Sequence, residues 1–236
     1  MQQSVRINKY EKTAIQTDRQ IQQPLLCIDC ENLFSKYGER IVGQLWSTSE
    51  GFPLYEMLKQ RKPTVQNSSI AAFNTDVIDP AYVDGLFYFA ISIFWRAEVW
   101  DWQRAKNPYG TGLGSRYESE FRKYLQYKFP LNNVYMCVDV NSNRDSCGIF
   151  SFPSCDRLEG SWYHSFCMLG LRFVMVVGGG KSKLKSACEV IGSNMYFSLT
   201  DFRESVAFRG IVSSARGDVD RRGKFSSLDL DSLVGK

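Results

Sequence analysis

The chain has 236 residues, of which 44% are hydrophobic and 14% aromatic, with a formal net charge of +4. This is enough apolar material to fill a core, and the length suits one compact α+β body or two small domains. The mild charge permits contact with nucleic acid or an acidic surface but argues for neither, and the longest apolar run, residues 86–95, is about half of the ~20 residues that a membrane span needs.

Residues 1–23 are polar and rich in Gln, and read as an extended or weakly ordered lead-in. Arg6, Lys9, Lys12 and Arg19 would make this stretch a nucleic-acid arm, but Glu11 and Asp18 dilute the charge, which favours a solvated tail. Then comes PLLCIDCENLFSKY, residues 24–37. A short apolar run (Leu25, Leu26, Ile28) delivers Cys27 and Cys30, and a helix begins directly after them. Leu33, Phe34, Tyr37, Ile41, Val42 and Leu45 recur at the spacing of one helical face, with Glu31 and Asn32 in the first turn, where the helix dipole favours such groups. Gly51, Phe52 and Pro53 break the chain, Leu54 to Gln60 predicts a short helix, and residues 64–79 read as a linker.

Asp79-Pro80 is a helix start, with Asp as cap and Pro in the first turn. The helix is predicted from Ala81 to about Gln103 and is apolar on nearly all sides, which predicts the buried centre of the fold. Arg96 falls within it, and a buried guanidinium is costly without a carboxylate partner. Residues 106–114 form a glycine-rich loop. Its GTGLG follows a helix, whereas a phosphate cradle follows a strand. Ser115 then caps a helix to about Phe129, with Tyr117, Phe121, Tyr124 and Leu125 facing inward and Glu118 and Arg122 paired on its surface.

Beyond Pro130 the pattern changes. NVYMCVDVN, CGIFSF, WYHSFCMLGL and RFVMVVG are short segments rich in aromatic and β-branched residues, and they predict an antiparallel meander of four strands. Asn194 to Leu199 adds a further strand and Thr200 to Ser213 a closing helix. The fold class expected is therefore α+β. A polar lead-in (1–23) precedes a single domain over 24–214, mainly helical over 24–129 and mainly antiparallel β over 130–214, and a flexible tail covers 215–236.

Seven cysteines, an odd number, with no apolar leader ahead of them, fit reduced thiols in the cytoplasm better than a disulfide framework. Cys27 and Cys30 are the candidate metal ligands, because C-x-x-C spacing lets two thiolates bind one zinc at a helix N-terminus. The alternatives are buried structural cysteines or a redox dithiol. Cys137, Cys147, Cys155 and Cys167 would complete the zinc set only if the β region folds back onto the pair. His164, the one histidine, sits in an aromatic strand and reads as a hydrogen-bonded framework residue. GGGKSK, residues 178–183, lacks the Walker spacing, since Met175 stands where a glycine is required, and reads as a strand-to-loop turn with exposed lysines.

LLCIDCENLFSKYGE, GFPLYEML, YFAISIFWRAEVWDW, LGSRYESEFRKYL and GLRFVMVVGGG together resemble an uncharacterised bacterial protein family whose front half carries an HNH-like, treble-clef C-x-x-C-E knuckle. The resemblance implies association with DNA or RNA, and zinc at Cys27 and Cys30. It also implies a preceding Cys pair and a His, neither of which residues 1–26 contain. Either the start is internal to a longer gene or the site has been lost. An HNH nuclease needs a histidine base and a metal at the leaving oxygen, so catalysis is doubtful. A non-catalytic module that binds a protein partner through its aromatic sheet is the alternative. A second alternative comes from Asp29 and Glu31 after an apolar strand, with Asp139 after VYMCV. This is similar to the carboxylates with which PIN/NYN-type ribonucleases hold Mg²⁺ or Mn²⁺.

Overall fold

The computed structural model describes residues 24–66, 70–101, 109, 112–158 and 160–205, together with the backbone of 5–8, 13–16 and 220–222. The chain forms two compact units, Pro24–Asp201 and Met1–Gln23 with Phe202–Lys236. In the latter, β1 (Val5–Asn8) pairs antiparallel with β2 (Thr13–Gln16), and β2 pairs parallel with the last strand, β10 (Asp220–Arg222). The stretches read as lead-in and tail thus contain paired backbone. The side chains of Arg6, Lys9, Lys12 and Arg19 lie outside the described residues.

The larger unit is α+β, with its helices first. Cys27 precedes α1 (Ile28–Phe34), which runs through a π-helical turn (Ser35–Glu39) into α2 (Arg40–Val42). The π turn coincides with a tight crossing. A Cβ on Gly38 would stand 3.1 Å from the backbone of Phe89, so the two helices meet at a residue without a side chain. Next, α3 (Pro53–Lys59) starts on the proline that breaks the preceding segment.

The central helix is α4 (Pro80–Val99), capped by Asp79, whose carboxylate accepts the Ala81 N–H at 2.8 Å. The sequence places its end near Gln103. It stops at Val99, where Trp100 turns extended, and residues 102–108 lie outside the described residues. The expected carboxylate for Arg96 is Glu39, at 2.7 Å, and the guanidinium also rests 5.1 Å from the Phe34 ring centre. α5 (Gly114–Tyr127) places Phe121 and Leu125 inside, and its predicted Glu118–Arg122 pair closes at 2.6 Å.

A seven-stranded sheet completes the unit: β3 (Val65–Gln66), β4 (Ala71–Asn74), β5 (Val134–Asn141), β6 (Ser154–Leu158), β7 (Ser161–Met168), β8 (Leu171–Val177) and β9 (Met195–Thr200). Their order is β3-β4-β9-β5-β8-β7-β6, and all pairs are antiparallel except β5–β9. The meander is therefore β6-β7-β8, and β5 inserts between β8 and β9. Two expectations are corrected. The 64–79 linker supplies the edge strand β3 and its neighbour β4, because Ala72 and Phe73 are buried and β4 pairs with β9. CGIFSF is not a strand. Phe150 points to solvent, Pro153 lacks a ladder donor, and the segment is tied to β7 through Ser151 and Cys167 without a strand ladder.

One sheet face packs on α4. Phe89 and Phe94 meet Phe166 at 6.2 and 5.2 Å between ring centres, and Phe166 stacks on Phe173 at 4.7 Å. The other face is covered by α6 (Lys183–Ile191), whose Leu184 and Cys188 pack against Cys137 and Val176. No helix among the described residues is long and apolar enough to cross a membrane. Of the expected closing helix, one 3-10 turn (Phe202–Glu204) is present, and residues 206–213 lie outside the described residues.

Candidate functional site

The C-x-x-C turn is the first candidate. Cys27 is exposed and extended (φ −76°, ψ 164°) at the N-cap, and Cys30 is half-buried one turn on. The turn is held firmly, because Phe34 at the end of α1 wedges edge-on against Tyr88 and Trp95, 6.0 and 6.1 Å between ring centres. The Cys30 amide, then its thiol, hold the Cys27 thiol below its ordinary value, against desolvation and the charge of Asp29. Cys30 moves the other way, through its hydrogen bond to Cys27 and through burial. A cleft of about 20 Å³ beside Cys30, bounded by Leu26, Trp95, Arg122 and Gln126, has room for little more than a water.

A structural zinc takes four donors, and this turn offers two. All seven cysteines and the single histidine are among the described residues, where no three His, Cys, Asp or Glu side chains converge. Cys137 lies on the sheet face away from α4, and Cys188 packs over it from α6. The β region therefore does not fold back to complete the pair, and these residues do not form a closed zinc site.

His164 is fully buried in β7. Its Nδ1 shares a 2.7 Å hydrogen bond with the Tyr109 hydroxyl, Cys155 Sγ lies 4.0 Å from its Nε2, and Phe94 stands edge-on to the ring. Burial pulls the imidazole down to about 4 and pushes the Cys155 thiol up to about 12. Tyr109 is likewise held well above its ordinary value by burial. All three are neutral at pH 7, so the trio is a framework, as the sequence reading of His164 has it.

Asp29 and Glu31 stand on the first turn of α1, because the chain enters a helix at Ile28 and makes no strand before it. Asp139 lies across the sheet on the α6-side face of β5. It is paired with Arg172 (Nε to Oδ2, 2.6 Å) and accepts from the Ser198 hydroxyl. The carboxylates of the ribonuclease reading are thus not brought together. GGGKSK does turn out of a strand, but into the unexpected helix α6, where the Ser182 hydroxyl accepts the Lys185 N–H at 3.1 Å and so occupies one of the donors that a phosphate would use. Sequence reasoning missed α6. The signal was available in Ser182 as cap, with Leu184, Cys188 and Ile191 at helical spacing.

No protein-family model, curated protein or solved structure matches this chain.

Proposed function

We propose that the protein is HNH/treble-clef-related and nucleic-acid-associated, working by association and not by hydrolysis, with Cys27 and Cys30 as a two-thiolate half-site. The observation that supports this reading is the C-x-x-C turn itself. One thiol is exposed and poised toward thiolate, at the start of a helix wedged into the core. The remaining donors to a zinc ion would come from a second chain. The unpaired state of all seven cysteines suits a reducing compartment, so we place the protein in the cytoplasm.

The test is zinc content together with DNA affinity across a salt series. Zinc retained by the wild type and lost in Cys27→Ser/Cys30→Ser, with affinity that weakens as salt rises, supports the reading. Metal-free protein with no nucleic-acid affinity overturns it and favours the second reading, a module that binds a protein partner. The observation behind that alternative is the sheet edge at β6. Leu158 and, on the neighbouring strand, Trp162 are exposed there, and an outer strand offers backbone groups to a partner strand.

A further inference from the structure

Lys128 follows α5 in the left-handed conformation (φ 59°, ψ 24°), and its N–H closes the helix on the Tyr124 carbonyl at 2.8 Å. Glycine or asparagine ordinarily fills this position, because a Cβ is strained there. The reason a lysine is tolerated lies at the far end of its side chain. Nζ is 3.7 Å from the ring centre of Tyr88, 4.4 Å from that of Tyr37 and 5.4 Å from that of Tyr124. The three rings come from three elements: the π-helical turn, α4 and α5. Tyr37 and Tyr124 each lie 5.8 Å from Tyr88 and are inclined to it at 60° and 45°, so they wall the ammonium from different directions. Tyr88 is fixed by its hydroxyl, which donates to the Leu125 carbonyl at 2.7 Å.

This is a three-walled aromatic cage for a cation, and its resident fits it imperfectly. A primary ammonium has three N–H donors, yet among the described residues Lys128 Nζ makes no hydrogen bond or ion pair. The cage offers it ring faces and no acceptor. The one carboxylate whose field favours the ammonium, Asp84, stands one helical turn before Tyr88, beyond ion-pair distance, and burial works against the charge. Ring faces without acceptors suit a methylated ammonium, which has no donors to satisfy and more apolar surface to bury. The resident also rides on a flexible stem at the exposed end of a helix, so it can leave without unfolding anything.

We propose that Tyr37, Tyr88 and Tyr124 form a binding site for quaternary ammonium groups, and that Lys128 is its displaceable plug. An incoming cation replaces the lysine, so the count of charges on the rings does not rise, although Lys36 also rests 5.0 Å from Tyr37. In the resting chain the tethered lysine competes at high effective concentration, which makes the wild type a weak binder.

The experiment opens the cage without removing the helix cap. Lys128→Gly keeps the left-handed residue, and Lys128→Asn, which also tolerates that conformation, serves as a second opened variant. Each folded protein is titrated with tetramethylammonium chloride and followed by the aromatic NMR signals of the tyrosines, with sodium chloride at equal ionic strength as the control. At least about tenfold tighter binding by the opened variants than by the wild type is expected, with at least about tenfold loss when Tyr37→Leu is added. Choline and Nε-trimethyllysine are the two further arms; the tighter of them identifies the source of the group. Opened variants that bind no tighter than the wild type, or binding indifferent to Tyr37→Leu, would overturn the proposal and leave Lys128 a structural latch.

Discussion

Cys155 and Cys27 make an instructive pair. Cys155 has a histidine 4.0 Å away, the arrangement in which a thiol nucleophile and its base are sought, whereas Cys27 has no histidine at all. The environments reverse the expectation. Around Cys155, burial pushes the thiol up to about 12 and the imidazole down to about 4, which favours the neutral pair over thiolate–imidazolium. At exposed Cys27 the neighbouring amide and thiol of Cys30 outweigh the desolvation that opposes charge and favour the thiolate. Proximity of the right residue types is therefore not activation. Solvent access and donors aimed at the sulfur decide it.

The contrast is tested most severely by removing each centre in turn. His164→Ala opens a cavity beside Phe94, Tyr109 and Cys155 and removes the 2.7 Å hydrogen bond to the buried Tyr109 hydroxyl, so a loss of about 3–4 kcal/mol is expected. Cys27→Ser on the exposed turn should stay within about 0.5 kcal/mol of the wild type. Urea unfolding measures both. Equal losses would show that the turn is as structural as the buried trio.

Protonation gives a second, slightly smaller effect with a definite sign. Burial lowers the His164 pKa from an ordinary 6.5 to about 4. Between these values the unfolded chain binds a proton that the folded chain refuses. The contribution is complete above pH 6.5 and is lost as pH falls toward 4, at about 1.4 kcal/mol per pH unit and about 3 kcal/mol in all. The informative quantity is the difference from His164→Asn, which cancels the contributions of all other groups. That variant should show a flatter stability profile between pH 4 and 6.5, and parallel profiles would place His164 in contact with water.

How far these regions could be read from sequence follows from how local they are. The helix with Leu33, Phe34 and Tyr37 on one face, the Asp79 cap and the Glu118–Arg122 pair depend on spacings of two to four residues, and all are present. The C-x-x-C turn is equally local, and its position at a helix start was legible. The Tyr109–His164 contact joins positions 55 apart, and nothing near either residue signals the other. The same holds for the sheet order. β5 pairs with β9 across some sixty residues, and the short strand β4, on which β3 pairs, is held by that same distant β9 and not by its own propensity. Helix α6 was hidden for another reason. Reading GGGKSK as a turn absorbed the Ser182 cap and the first helical residue, Lys183, into a loop.

The smallest effect in free energy is the most direct probe of the comparison. Iodoacetamide traps thiolate, so at pH 8 Cys27 should be alkylated at least about tenfold faster than Cys155, whose thiol is neutral at that pH and shielded. Peptide-resolved mass spectrometry over pH 6–9 separates the sites. The Cys27 profile should reach its midpoint below that of an ordinary thiol. In Cys30→Ala the partner thiol is lost while its amide remains, so the midpoint should move part of the way back up. A midpoint unmoved by that substitution would assign the whole effect to the backbone of the first helical turn. A Cys27 profile that matches an ordinary thiol would leave nothing at this turn to distinguish it from any exposed cysteine, and the asymmetry between the two regions would reduce to burial alone.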